Sequence, residues 1–267
     1  MESFSYYYGV NNRDYIEGIV NAWMDDIGNS KHRFDDIRRF LPDARRVLDI
    51  GSGCGTFVFY GLMNGLDVHG VDPEEWKREF NIMKADEAGY PTEWLTRFHM
   101  GVGENLPFPD NRFDCVSSYQ TLEHVQAPCR VVAEMIRVTR PGGGIHIRCP
   151  DYRGTFEGHY RLPWLPLFPR YLARAYLRLL GRPTDGLDSL QYVTRPRVLK
   201  WVRLVQKSSD SELVVIDVDE ESFYDTIRKR GLPRLAGSFS IYCIFRFIGR
   251  LFRRDIGVNL FIMIVRK

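Results

Sequence analysis

A doubly wound α/β fold, with a seven-stranded, mostly parallel sheet and helices on both faces, is the architecture this sequence predicts. Three observations carry it. Strand-length apolar runs alternate with helical-period segments from Val47 to Cys149; the first run ends in the glycine-rich turn Gly51-Ser52-Gly53-Cys54-Gly55; and the second ends in an acid, Asp72. Such alternation implies parallel strands joined by helical crossovers. The chain of 267 residues, 44% hydrophobic and 27% charged, has enough apolar material for one sizeable core. We read 1–267 as a single domain. N-terminal helices fill 1–46, the nucleotide-binding core 47–150, an insertion on the ligand side 151–211, and the last strands with an amphipathic basic segment 212–267.

In chain order, Asn11 to Phe40 reads as helix, with Ile16, Ile19, Val20 and Trp23 on one stripe and Phe34, Ile37, Phe40 and Leu41 on another. Pro42 ends it. The run Val47 to Ile50 is the first strand, and Thr56 to Asn64 a helix that Gly65 closes. Asp67 to Val71 is the second strand, and Glu74 to about Glu87 a charged helix. Gly101 to Asp110 is loop. Phe113 to Tyr119 is a strand, and Pro128 to Thr139 a helix with proline in its first turn. Pro141-Gly142-Gly143-Gly144 reads as a sharp stop before a strand over Ile145 to Cys149, and Leu213 to Val218 and Val258 to Val265 as two further strands.

Several function classes are set aside by composition. A net charge of +3 is too small to imply nucleic acid, and no basic stripe stands apart from apolar residues. Cys54, Cys115, Cys129, Cys149 and Cys243 are scattered without a C-x-x-C pair, so no metal site is expected, and Cys54, Cys115 and Cys149 read as buried apolar filler. The first residues lack a secretory pattern, and arginines interrupt every apolar stretch of spanning length. The expected location is therefore the cytoplasm, with one qualification: Ser240 to Arg254 mixes isoleucines and phenylalanines with four arginines. That segment suits peripheral contact with the inner face of an anionic membrane, and equally a core helix or a subunit contact. Oligomeric state leaves no sequence signal.

Asp49-Ile50-Gly51-Ser52-Gly53-Cys54-Gly55 carries the chemistry. A turn leaving a parallel strand must let a ligand approach the backbone, which glycine permits, and the next helix presents free N–H groups. Asp72, about 20 residues on at the end of the second strand, is placed to accept both hydroxyls of a ribose. A dinucleotide turn wants glycine where this chain has Thr56, so the spacing leans away from NAD and FAD. Asp72 also reads as a cap for the helix that follows.

Val47 to Phe57 resembles the first motif of class I S-adenosylmethionine-dependent methyltransferases, and Val68 to Pro73 their second. Gly101 to Asp114 looks like their adenine-contact stretch, Ser118 to Val125 like the end of their fourth strand, and Arg137 to Gly143 like the turn before their fifth. The resemblance implies S-adenosylmethionine as cofactor. Asp49, Gly51, Ser52, Gly53, Cys54 and Gly55 would hold its methionine end, Asp72 and Pro73 its ribose, and Gly103, Glu104 and Asn105 its adenine. Gln120 would close the pocket. Val102 stands where many relatives carry an acid.

The acceptor is less legible. Methyl transfer to oxygen needs a base, and His124, Asp151, Glu157 and His159 follow strand ends on the ligand side. His124 leads and His159 is second, because histidine titrates near neutrality; Glu123 reads either as functional or as an exposed charge opening a helix. The basic, aromatic insertion (Glu157 to Trp164 above all) resembles that of bacterial methyltransferases of surface-polysaccharide assembly, which implies a sugar hydroxyl on a glycan of the O-antigen or lipopolysaccharide type. A small lipophilic acceptor, such as a quinone precursor or fatty acid, is the enzymatic alternative. A non-catalytic cofactor-binding regulatory subunit is the other, since fold does not fix function.

Overall fold

The computed structural model describes residues 9, 13–28, 30–209, 212–229 and 257–266. The basic apolar segment 240–254 and Cys243 lie outside them. The strands are β1 (Arg46–Ile50), β2 (Asp67–Asp72), β3 (Phe98–Met100), β4 (Phe113–Tyr119), β5 (Thr139–Cys149), β6 (Phe156–Glu157), β7 (Leu162–Pro163), β8 (Glu212–Asp217) and β9 (Val258–Arg266). Seven of them form one sheet in the order β3-β2-β1-β4-β5-β9-β8. The first five run parallel, and β9 is antiparallel to both neighbours.

The helices are α1 (Arg13–Met24), α2 (Lys31–Phe40), α3 (Thr56–Met63), α4 (Glu75–Ala88), α5 (Pro128–Val138), α6 (Arg170–Leu179), α7 (Arg195–Ser208) and α8 (Val218–Lys229). Strand side chains alternate between faces. Leu48, Ile50 and Ile145 join Val131, Met135, Val198 and Val202 from α5 and α7 in one core. Val47, Val68 and Cys115 join Phe34 and Ile37 from α2 and Phe57 from α3 in the other. Both faces being covered, the central strands read as apolar runs.

The structure corrects four readings. The N-terminal helix is two helices, because Asp25 Oδ1 accepts from Ile27 N at 3.0 Å and Gly28 N at 2.9 Å and turns the chain. Phe98–Met100 is a strand that a three-residue run could not announce; it pairs with Gly70 to Asp72. Pro141 to Gly144 does not stop the chain ahead of a strand: β5 already begins at Thr139, opposite Phe113, and the register shifts before Cys115 meets Gly144. Glu123 is buried, at 0% exposure, not a surface charge.

Within 151–211, two kinds of structure appear. Tyr160, Trp164, Phe168, Ala173, Leu177, Leu187 and Leu190 form a separate small core. Helix α7, capped by Thr194, instead packs its valines into the main core. Among the described residues no helix is long and apolar enough to cross a membrane.

Asp114 ties the lower edge of the sheet together. Its Oδ2 accepts from the backbone N–H groups of Arg45 and Arg46 at 2.8 Å, and its Oδ1 from Arg140 Nε at 2.7 Å. Burial alone would raise this carboxyl's pKa, but the Arg46 amide, the Arg140 guanidinium and the Arg45 amide outweigh it and the net shift is downward. A carboxylate depressed in the folded state contributes stability above its unfolded pKa of about 3.9 and loses it as pH falls through the folded value. Asp114→Asn should therefore lower the denaturation midpoint at pH 7, and the gap to wild type should close as the pH drops below about 4. A gap independent of pH in urea titrations would mean the charge is not what matters.

Candidate active site

The crossovers diverge between β1 and β4, and the ligand-side ends of β1, β2 and β4 meet at that point. The turn after β1 is pinned first. Gly51 N and Ser52 N both donate to Val71 O, at 2.8 and 3.1 Å. Gly51 is left-handed (φ 71°), and a Cβ there would sit 2.4 Å from Thr121 Oγ1. Gly53 (φ 53°) has no atom within 4 Å of its would-be Cβ, so the turn opens outward at that residue. A shallow, solvent-open cleft lies there, lined by Ser52, Gly53, Asp72, Glu74, Lys77, Asn81 and Phe98 among others.

Asp72 organises the cleft. Its Oδ2 accepts from Gly53 N at 3.0 Å and Lys77 Nζ at 3.2 Å, and its Oδ1 from Glu74 N at 3.1 Å. Asp72 thus both faces the glycine turn and braces the start of α4. Asn81 Nδ2 donates to Gly53 O at 3.2 Å, fixing the turn from the other side. Pro73 follows Asp72, and Cys54 and Gly55 complete the turn. The Cys54 thiol is buried and its pKa is pushed up to about 12, chiefly by desolvation, so it is inert filler.

Asp49 lies elsewhere. It shares a strand face with Val47, the face α2 covers, and Arg33 arrives from that helix. Arg33 Nη2 donates to Asp49 Oδ1 at 2.5 Å and to Ser117 Oγ at 2.9 Å, while its guanidinium lies over Phe57 and Tyr119. Asp49 is 2% exposed, and burial, countered by Arg33, raises its pKa. Its carboxylate therefore forms the floor of the turn and not the wall of the cleft. A second buried cation, Lys84, hydrogen-bonds Trp23 O at 2.5 Å, Cys54 O at 3.3 Å and the Asp26 carboxylate, tying α1 to the glycine turn.

The residues expected at adenine are placed differently again. Gly103 packs against Ile50 and Val131, and Asn105 N closes a turn on Val102 O at 3.2 Å. Glu104 Oε1 accepts from Gln126 N and Ala127 N at 2.9 and 3.1 Å, where the chain enters α5. Its carboxylate is thus engaged with backbone. Gln120 ends β4 with φ 53°, a conformation that costs a residue with a Cβ, and its N–H donates to Arg148 O at 2.7 Å. Its side chain is exposed at the strand end.

Past Gln120 the two histidines come together. His124 Nε2 and His159 Nε2 are 3.2 Å apart, although 35 residues separate them in sequence. His159 Nδ1 is 2.7 Å from Glu157 Oε1, and Glu157 Oε2 accepts from Tyr160 N at 2.6 Å. Glu123 O accepts from Gln191 N at 2.6 Å, docking the insertion on the β4 end. Burial lowers the His124 pKa to about 4, aided by the charges of His159 and Lys77. Burial would also lower His159, but the hydrogen bond to Glu157 and the charges of Glu157 and Glu123 outweigh it, and its pKa is raised. The charges of Lys77 and Glu74, two residues that line the cleft, also act on His124. Asp151, the remaining candidate base, is paired with Arg153.

Sequence reasoning missed Arg33, Lys77, Asn81, Lys84 and Ser117. Arg33, Asn81, Lys84 and Ser117 act through contacts between segments remote in sequence, and Lys77 through Asp72 and Glu74 just before it. Arg33→Leu would leave Asp49 buried without its cation, which costs about 3–5 kcal/mol. We expect a matching loss in chemical denaturation, partly recovered in Arg33→Leu/Asp49→Asn. Unchanged stability in the single variant would remove the pair from the account of the turn.

Comparison with known proteins gives a consistent picture. Residues 48–147 match a family model described as a methyltransferase domain. An uncharacterized methyltransferase of Mycobacteroides abscessus is 31% identical over 199 residues, 74% of this chain and 71% of that protein. One from Mycobacterium sp. (strain JLS) is 37% identical over 118 residues, and the match spans 44% of its length. Among solved structures, phosphoethanolamine N-methyltransferase 2 of Haemonchus contortus in complex with S-adenosyl-L-methionine covers 89% of this chain and 53% of its own (TM-score 0.51, 17% identity). The YcgJ protein of Bacillus subtilis covers 88% and 99% (TM-score 0.50, 19% identity). At those identities the solved structures share the fold.

Proposed function

This chain belongs to the methyltransferase family, and from that membership we propose that it methylates a hydroxyl oxygen, using S-adenosylmethionine, on a sugar of a surface glycan of the O-antigen or lipopolysaccharide type. The observation that carries the cofactor assignment is the corner made by Gly53 and Asp72. The turn is open at Gly53, the Asp72 carboxylate accepts three hydrogen bonds, and a carboxylate has about four acceptor sites. Asp72 thus retains capacity for a ribose hydroxyl, and Lys77, on a flexible stem, can yield a further site. These residues fit an adenosyl group. When bound, S-adenosylmethionine supplies an electrophilic methyl carbon on a sulfonium.

The chain's own work is to orient the acceptor and remove its proton. His124 is the base: Nδ1 takes the hydroxyl proton as the carbon–oxygen bond forms, and Nε2 hands its proton to His159 Nε2, 3.2 Å away. Glu157 holds the far side of His159 and stabilises the resulting charge.

The acceptor class is supported by the polarity of this corner. Glu74, Lys77, Glu123, His124, Glu157 and His159 suit a hydroxyl-rich ligand better than a quinone precursor or a fatty acid. The insertion's arginines support it less, because Arg170 is bound to Leu187 O and Leu190 O and Arg174 to Asp188. Tyr171, Leu172 and Leu179 on α6 are exposed, which favours a lipid-linked carrier for the sugar.

Calorimetry is expected to show binding of S-adenosylhomocysteine and none of NAD. Asp72→Ala should weaken that binding by about 1.5–3 kcal/mol, the worth of charge-assisted hydrogen bonds; equal affinity would reduce Asp72 to a helix brace. With a panel of sugars and lipid-linked glycans and labelled cofactor, His124→Ala should lower kcat by about 10²–10⁴ with S-adenosylhomocysteine affinity intact. Label transfer to lipophilic acceptors alone would overturn the sugar assignment.

A further inference from the structure

We propose that Glu123, His124 and His159 bind a divalent transition-metal ion. One ligand atom from each, two imidazole nitrogens and a carboxylate oxygen, lies within 4.8 Å of the others. The two Nε2 atoms are 3.2 Å apart, and the rings meet edge to face, their planes at 86°. Zinc bonds to imidazole of about 2.0–2.1 Å at a tetrahedral angle put two nitrogens about 3.3 Å apart, so little movement is needed to receive an ion.

The surroundings are those of a metal site. Glu157 accepts at His159 Nδ1 and is itself held by Tyr160 N, which makes it the outer carboxylate that orients a metal-binding histidine. Glu123 is buried at 0% exposure, where a carboxylate gains most from a nearby cation. The backbone bond from Gln191 to Glu123 O holds the β4 end against the insertion that carries His159. Two imidazoles and one carboxylate suit Zn²⁺ or Co²⁺ over Mg²⁺ or Ca²⁺. Part of the His124 residue reaches solvent although its ring is largely desolvated, which leaves a further coordination position open to water or to an acceptor oxygen.

This inference rests on the same corner as the proposed base but not on the identity of the acceptor. The ion and the proton passed between the imidazoles use the same Nε2 lone pairs and exclude each other, so metal loading must change the rate of methyl transfer.

The test uses the full chain, stripped with chelator and titrated with Zn²⁺ in a calorimeter, with Co²⁺ as a spectroscopic probe. One ion per chain should bind. His159→Ala and Glu123→Gln should abolish binding, and Glu157→Gln should weaken it by about 10–100-fold, as loss of an outer-shell partner does. S-adenosylhomocysteine binding, measured on each variant, reports that it is folded. The proposal is overturned by absence of one-to-one binding in wild type, by wild-type affinity in His159→Ala, or by a zinc-saturated enzyme that turns over at the metal-free rate. Metal binding with no sugar methylated would defeat the acceptor reading alone; sugar methylation by a protein that takes up no Zn²⁺ or Co²⁺ in the titration would defeat this proposal alone.

Discussion

The reversal of strand order between β1 and β4 is the constraint on which the rest depends. Crossovers in a parallel sheet are right-handed, so strands added outward from β1 through β2 to β3 place their helices on one face, and those from β4 to β5 on the other. Chains leaving β1 and β4 must part, and the gap they leave is not filled by either layer. The glycine turn, Gln120 and the Glu123–His124 pair lie on chain leaving these central strands, and Asp72 closes the neighbouring β2. Their convergence therefore follows from topology before any side-chain contact is made.

Side-chain charges then set the shape of that gap. Arg33 and Lys84 are buried cations that reach the floor and the flank of the glycine turn, one from α2 and one from α4. Buried pairs gain little net stability over apolar replacements, because desolvation offsets most of the attraction. They do, however, admit few arrangements. Arg33 must satisfy Asp49 and Ser117 together, and Lys84 must satisfy Asp26, Trp23 O and Cys54 O together. The N-terminal helices are thus held in register with a turn whose backbone has to meet a ligand.

The histidine corner works by a contrast between two identical side chains. Desolvation, aided by the charges of His159 and Lys77, lowers the His124 pKa to about 4, while the hydrogen bond and charge of Glu157, with the charge of Glu123, shift His159 upward. Environment alone separates them, since they differ in nothing else. A pair so arranged has one ring ready to receive charge and another ready to stabilise it. The same convergence of lone pairs and carboxylates is what a cation would need.

How much of this was legible in the sequence depends on the range of the interaction. Strand-length apolar runs and period-3.6 patterns, Pro128 at a helix start and Gly65 at a helix end are local, and the parallel core and its glycine turn could be read from them. That Asp72 faces the glycine turn was legible too, because an acid closing the next strand has one obvious neighbour. For Glu104 and Asp49, residue type and spacing suggested a ligand, while their contacts with the α5 amides and with Arg33 are set by the folded chain. The Asp25 turn, the short β3 and the early start of β5 depend on side-chain hydrogen bonds and pairings that periodicity does not encode. His124 and His159 could each be named as candidates, but nothing in their spacing says that their Nε2 atoms meet. The sequence by itself determined the strand–helix alternation and the turn, because these rest on neighbours a few residues apart. Only the tertiary structure decided which carboxylate faces the cleft, which cation neutralises which acid, and that two histidines 35 residues apart share one corner, because those distances are closed by the packing of the insertion on the end of β4.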